Sequence, residues 1–223
     1  MKLIKFLIYP FLIIKSVFNL FIVYLPGNSG IKLRYIYYRK KFKSCGENVF
    51  IDTGVLIDGF EYISIGSNVH IDKYTIINTG IKTVGHQHFK ENSEFNHNVG
   101  EIIIGDNTHI VHNCILMGFG GIQIERNCTI SAGSKLYSQS NLAYNPKEKG
   151  EIISIMPYEQ AHFINSPICL KRNVWIGLNC IIMPGCSINE NSFAVSNSVL
   201  LDKYPENSYI SGQPGIKIRN RFE

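Results

Sequence analysis

Residues 170–200 read LKRNVWIGLNCIIMPGCSINENSFAVSNSVL, and an aliphatic or small apolar residue recurs in them at every sixth position: Leu170, Ile176, Ile182, Ile188, Ala194 and Leu200. Four residues after each of the first five stands a small or β-branched one, Val174, Cys180, Cys186, Ser192 and Ser198. Turn-forming residues (Gly177, Asn179, Gly185, Asn189, Asn191, Asn197) fill the gaps. A period of six fits neither an amphipathic helix nor an alternating strand. It fits a short strand and a tight turn, three of which close one triangular coil. The aliphatic and small side chains then point inward and stack coil on coil in a parallel β-solenoid.

Upstream the same register returns at Cys45, Ile51 and Ile57; at Ile65, Ile71 and Ile77; at Ile104, Ile110 and Leu116; and at Ile124, Ile130 and Leu136. The solenoid is therefore expected over residues 45–202, with 203–223 as a tail. Composition agrees, since 45% hydrophobic and 17% charged residues in 223 exclude disordered and collagenous classes. The register also sorts the cysteines. Cys114, Cys128, Cys180 and Cys186 fall on the small inward position, Cys45 on an aliphatic one, and Cys169 on an outward one. No C-x-x-C pair exists, so neither zinc nor a disulfide framework is indicated, and a reducing compartment follows.

The net charge of +5 conceals a division. No acidic residue precedes Glu47, so residues 1–44 carry +9 and the remainder −4. Residues 3–25, LIKFLIYPFLIIKSVFNLFIVYL, are long and apolar enough to read as a membrane element. Lys5, Lys15 and Pro10 within the run favour a kinked or interfacial helix (domain 1–25) over a straight span. Residues 26–44 read as a basic juxtamembrane linker. There Lys32, Arg34, Arg39, Lys40, Lys41 and Lys43 alternate with Tyr35, Tyr37 and Tyr38, a pattern suited to an anionic membrane surface. The acidic body argues against a nucleic-acid partner. The positive-inside rule places the body on the cytoplasmic face of the membrane.

Chemistry is sought where the period breaks. Insertions near 79–101 and 138–167, and a bulge at Gly118-Phe119-Gly120-Gly121, all follow the third strand of a coil. They leave one corner of the prism and can meet there. His86, His88 and His97 lie in the first insertion and His162 in the second. His70 and His109 project outward from the second face in the column of Trp175, and His112 lies in a turn.

Residues 173–188, NVWIGLNCIIMPGCSI, followed by NSFAVSNSVL and YISGQPGIKIRNRF, resemble the C-terminal signature of the hexapeptide-repeat acetyltransferases, in their maltose/galactoside and capsule or O-antigen polysaccharide branches. The resemblance covers about residues 45–220 and is most specific in the last 50. It implies an all-β, left-handed parallel β-helix that forms a homotrimer and binds acetyl-CoA as co-substrate between subunits, with no metal. The implied reaction is O-acetyl transfer to a sugar of a surface polysaccharide or its lipid-linked precursor. Transfer to the amine of a nucleotide-linked sugar, a non-catalytic scaffold, and a zinc hydratase on the same solenoid are the alternatives.

One departure bears on catalysis. Family members carry a histidine in a loop pattern like YDHNHD, where this chain has Tyr137-Ser138-Gln139-Ser140-Asn141. Either a general base, for which histidine's ordinary pKa is suited, comes from elsewhere, or the chain is not an active acetyltransferase. His88 or His86 is expected in that role, with His109 and His112 as fallback. Ser138, Ser140, Asn141 and Tyr144 are expected at the sugar. By the resemblance, Trp175, Gly177, Ser196, Lys203, Lys217 and Arg219 line the coenzyme groove.

Overall fold

A computed structural model describes residues 2–142 and 158–223, with backbone alone for residues 2–11 and Tyr158. Short strands wind into three parallel sheets of seven, six and eight strands, the faces of a triangular prism. Face A holds the strands from Ser44–Cys45 to Lys203–Tyr204, and face C those from Leu56–Asp58 to Val199–Leu200. Face B runs from Phe50–Ile51 to Ser208–Gly212, and one antiparallel strand, Gly215–Asn220, closes its end. Every other pairing along the three faces is parallel and in register, as in Ile110↔Ile130↔Ile176↔Ala194. The chain is thus a parallel β-helix.

The six-residue columns are the core. Leu170, Ile176, Ile182, Ile188, Ala194 and Leu200 are all fully buried, as are Cys180, Cys186 and Ser192. Each buried Ile or Leu side chain contributes roughly 1.5–3 kcal/mol. The corner between faces A and B carries a ladder. Asn48, Asn68, Asn107, Asn127, Asn173 and Asn191 all sit at φ of 54° to 61°. Each passes an amide hydrogen bond of 2.8–3.2 Å to the next. Asparagine tolerates this left-handed backbone and satisfies its own side chain between coils.

Two expectations shift at the ends. Residues 203–212, expected in a tail, continue the register, with Lys203↔Ser187 and Tyr209↔Phe193. Within the stretch expected as a linker, Gly27–Tyr38 is a helix, α2, which follows α1 (Lys2–Tyr24). Arg34, counted above among the membrane-facing cations, is instead fully buried. Its Nη1 donates to the carbonyls of Leu25 (2.7 Å) and Ile22 (3.0 Å) at the end of α1, and its Nε to Ile51 O (2.7 Å) in the first coil. A cation on the exposed carbonyls of a helix C-terminus is favourable. Burial pulls the guanidinium pKa down, and Asp52 opposes that pull. Gly54 N also donates to Val23 O (2.9 Å), and Tyr37 Oη to Asn19 Oδ1 (3.1 Å). The end of α1 is therefore fastened to the solenoid, while Leu12, Ile13, Ile14, Val17, Leu20 and Phe21 stay exposed. Among the described residues, no helix is long and apolar enough to cross a membrane.

Candidate active site

The insertions meet at the corner between faces C and A. His86–Phe89 from the first, and Gln139–Asn141 and His162–Asn165 from the second, form a three-stranded sheet of their own. Its register sets His162 beside His86 and Ile164 beside His88. Because side chains alternate along a strand, His86 and His88 share one side with His162. Nε2 of His88 lies 2.9 Å from Nδ1 of His162, and the His86 ring stacks on His162 with centroids 4.5 Å apart. His162 is buried, His88 half-buried and His86 exposed. On the other side Gln139 Nε2 donates to Asn165 Oδ1 (2.8 Å) and to Gln87 Oε1 (3.1 Å), and Asn165 Nδ2 donates to Gln87 Oε1 (2.8 Å). That closed amide network braces the histidines from behind. Among the described residues, no group of three or more His, Cys, Asp or Glu is placed to hold a metal ion.

His162 was not among the expected catalytic residues. The signal for it was its place in the second insertion, which leaves the same corner as the first. His97 lies apart, its ring against Phe95. His109 and His112 belong to a different edge. His109 Nε2 is 2.9 Å from Asp72 Oδ2 on face B, and His112 lines a groove at the corner between B and C with Asp52, Asp72 and Tyr74.

Other expected positions divide. Ser138 is fully buried, and its hydroxyl donates to Met117 O (2.8 Å) while accepting from Gly120 N (2.9 Å). It holds the glycine-rich bulge and is not at the surface for a sugar, which corrects that expectation. Ser140 and Asn141 lie in the histidine-bearing sheet, and Tyr144 falls outside the described residues. Trp175 is exposed on face B, its Nε1 donating to Ser131 Oγ (3.0 Å), with Gly177 and exposed Ser196 at the adjacent corner. Lys203 projects from face A, so a single chain does not bring it to Trp175. Lys217 is exposed on the terminal strand. Arg219 is spent on its own tail: its Nη1 donates to the carbonyls of Asn220 and Glu223, and its guanidinium covers the Tyr209 ring.

The cysteines are filler. Burial pushes the thiols of Cys114 and Cys169 up to about 11 and that of Cys128 to about 12, and raises Cys186 further, so none is a nucleophile near neutrality. Cys169 faces out of its coil, as the register requires, but is buried. Asn92 of the first insertion lies across that face and donates to Pro167 O and Ser187 Oγ.

No family model matches the sequence. A candidate acetyltransferase of Saccharomyces cerevisiae is 30% identical over 122 residues, which span 55% of this chain and 57% of that protein. The dTDP-4-amino-4,6-dideoxy-D-glucose acyltransferase of Escherichia coli is 28% identical over 81% of this chain and 83% of its own length. The galactoside O-acetyltransferase of Escherichia coli K12 is 25% identical over 86% of this chain and 70% of its own length. Among solved structures, AntD, an N-acyltransferase of Bacillus cereus in complex with dTDP and coenzyme A, superimposes with a TM-score of 0.65 at 23% identity. That superposition covers 84% of this chain and 88% of AntD. The sequence relatives and the fold agree: this chain is an acyltransferase, similar over most of its length to sugar acyl- and acetyltransferases.

Proposed function

We propose that the chain transfers an acetyl group from acetyl-CoA to a hydroxyl of a sugar, with His88 as general base. The observation that carries this reading is the His88–His162 contact at 2.9 Å. A buried histidine there holds the ring of a half-buried one in a single orientation. His88 takes the proton of the sugar hydroxyl as that oxygen bonds to the thioester carbonyl carbon. The tetrahedral oxyanion collapses, the C–S bond breaks, and the coenzyme thiolate recovers the proton from the imidazolium. Ser140, on the strand beyond that of His162 and on the histidines' side of the sheet, supplies a hydroxyl for the sugar, whereas Asn141 alternates to the other side with Gln87 and Gln139.

Trp175, Gly177, Ser196 and Lys217 are assigned to acetyl-CoA. They lie on face B or beyond it, whereas the histidines rise from the corner between C and A. Two chains side by side bring both sets to one groove, so we favour a homotrimer with sites between subunits. The exposed apolar side of α1, with the exposed cations Lys32 and Arg39 in and just after α2, supports a place on the cytoplasmic face of a membrane. The acceptor is then a surface polysaccharide or its lipid-linked precursor.

A second reading, acyl transfer to the amine of a nucleotide-linked sugar, draws on the Escherichia coli aminosugar acyltransferase and on AntD. Thiol release from acetyl-CoA with matched hydroxyl and amino sugars separates the two. Release that depends on a hydroxyl acceptor supports the first reading, and release with the amine alone supports the second. Absence of release with either class points to a scaffold.

A further inference from the structure

Helix α2 and the first coil enclose a groove of about 380 Å³ at the end of the prism where α1 is fastened. One wall is the stripe Ile31, Tyr35 and Arg39, brought to one side of the helix by its i, i+4 spacing, with Lys32 beside it. The other wall is Val49 and Phe50, with Asn48 and Glu47 at the rim. Phe50 is 43% exposed although it begins a sheet. Arg39 lies over the Tyr35 ring at 5.2 Å. Among the described residues, neither Lys32 nor Arg39 is held in an ion pair. The groove thus joins an apolar wall to two cations outside any ion pair, with the Glu47 carboxylate on its rim.

We infer that this groove seats the phosphate headgroup of an anionic phospholipid, with its glycerol and upper acyl carbons against Phe50, Val49 and Ile31. A lipid in a bilayer fits better than a soluble phosphate because Ile36 of the same helix and the apolar residues of α1 are exposed as well, surface that a water-soluble anion would leave bare. Arg34 is what sets this geometry, since it locks α1, α2 and the first coil together. The inference rests on the membrane reading above and gives it a defined contact.

The test is binding of the full chain to vesicles of phosphatidylcholine, with and without a minority of phosphatidylglycerol. Lys32→Ala/Arg39→Ala is compared with Lys73→Ala/Lys135→Ala, which removes the same charge from the corner between faces B and C and from face C, outside the groove. With thermal stability and acetyl transfer to a soluble acceptor unchanged, the groove variant should lose roughly 30-fold in affinity for the anionic vesicles. The control should stay within about twofold of the parent, because distant charges are screened. Equal losses in both variants would show net charge at work and overturn the groove. A parent chain that binds neither vesicle would overturn the membrane reading itself, with the enzymatic reading untouched.

Discussion

Seventy-four residues of chain separate His88 from His162, yet their ring nitrogens approach to 2.9 Å because two insertions leave one corner and pair as strands. In one tautomer His88 donates to Nδ1 of His162, and in the other the donation reverses. His162 therefore acts through His88 as a positioning residue. His162→Phe keeps a ring between His86 and His88 but removes the hydrogen bond. It should lower kcat by up to about 100-fold and leave the KM for acetyl-CoA unchanged. The acid limb of the pH–rate profile should shift as well, which a merely structural role would not cause.

Arg34 is the strongest single determinant of the helical cap. Replacing it by Met strands the carbonyls of Leu25, Ile22 and Ile51 without a donor. The expected loss is about 3 kcal/mol in urea unfolding, at the upper end for a hydrogen bond to a charged group. Arg34→Lys should recover little of it, since a single ammonium does not reproduce the fork. Lys40→Ala, on the exposed side, should change stability by less than about 0.5 kcal/mol.

The corner ladder predicts a difference between two small replacements. Asn127 sits at φ 61° and bridges Asn107 and Asn173. Asn127→Gly loses the amide bonds but keeps the backbone. Asn127→Ala loses both and should be less stable than the glycine variant by about 1 kcal/mol. Equal melting temperatures would show that the backbone geometry carries no cost.

Acid should loosen the join between the helical cap and the first insertion. Burial acts to raise the Glu101 pKa, but hydrogen bonds from Lys43 and Asn98 prevail and hold it below the usual carboxylate range. A depressed folded pKa means stability that is fully present above the unfolded carboxylate value. It is lost as pH falls through the folded one. The Tm of the parent should therefore fall more steeply than that of Glu101→Gln as pH drops below about 4.3. Parallel curves would remove Glu101 from the account.

The solenoid was legible in the sequence because its period is local: Ile176, Ile182 and Ile188 declare three faces within one coil. The shared corner of the insertions was legible for the same reason. The histidine pair was not, because it depends on strand register between Gln87 and Phe163, which lie far apart in sequence and follow no repeat. Arg34 was hidden among basic neighbours, and its burial comes from the packing of α1, which no spacing encodes. Ser138 stands next to the insertion and looked available. Only the close turn at Gly120 shows that its hydroxyl is already used.

The account turns on His88, and steady-state kinetics of purified His88→Ala test it most directly. With coenzyme binding intact by calorimetry, acetyl transfer to the best hydroxyl acceptor should fall by roughly 10²- to 10⁴-fold, the usual contribution of a general base. Transfer within twofold of the parent rate would contradict the assignment and move the base to His86 or to the His109–Asp72 pair.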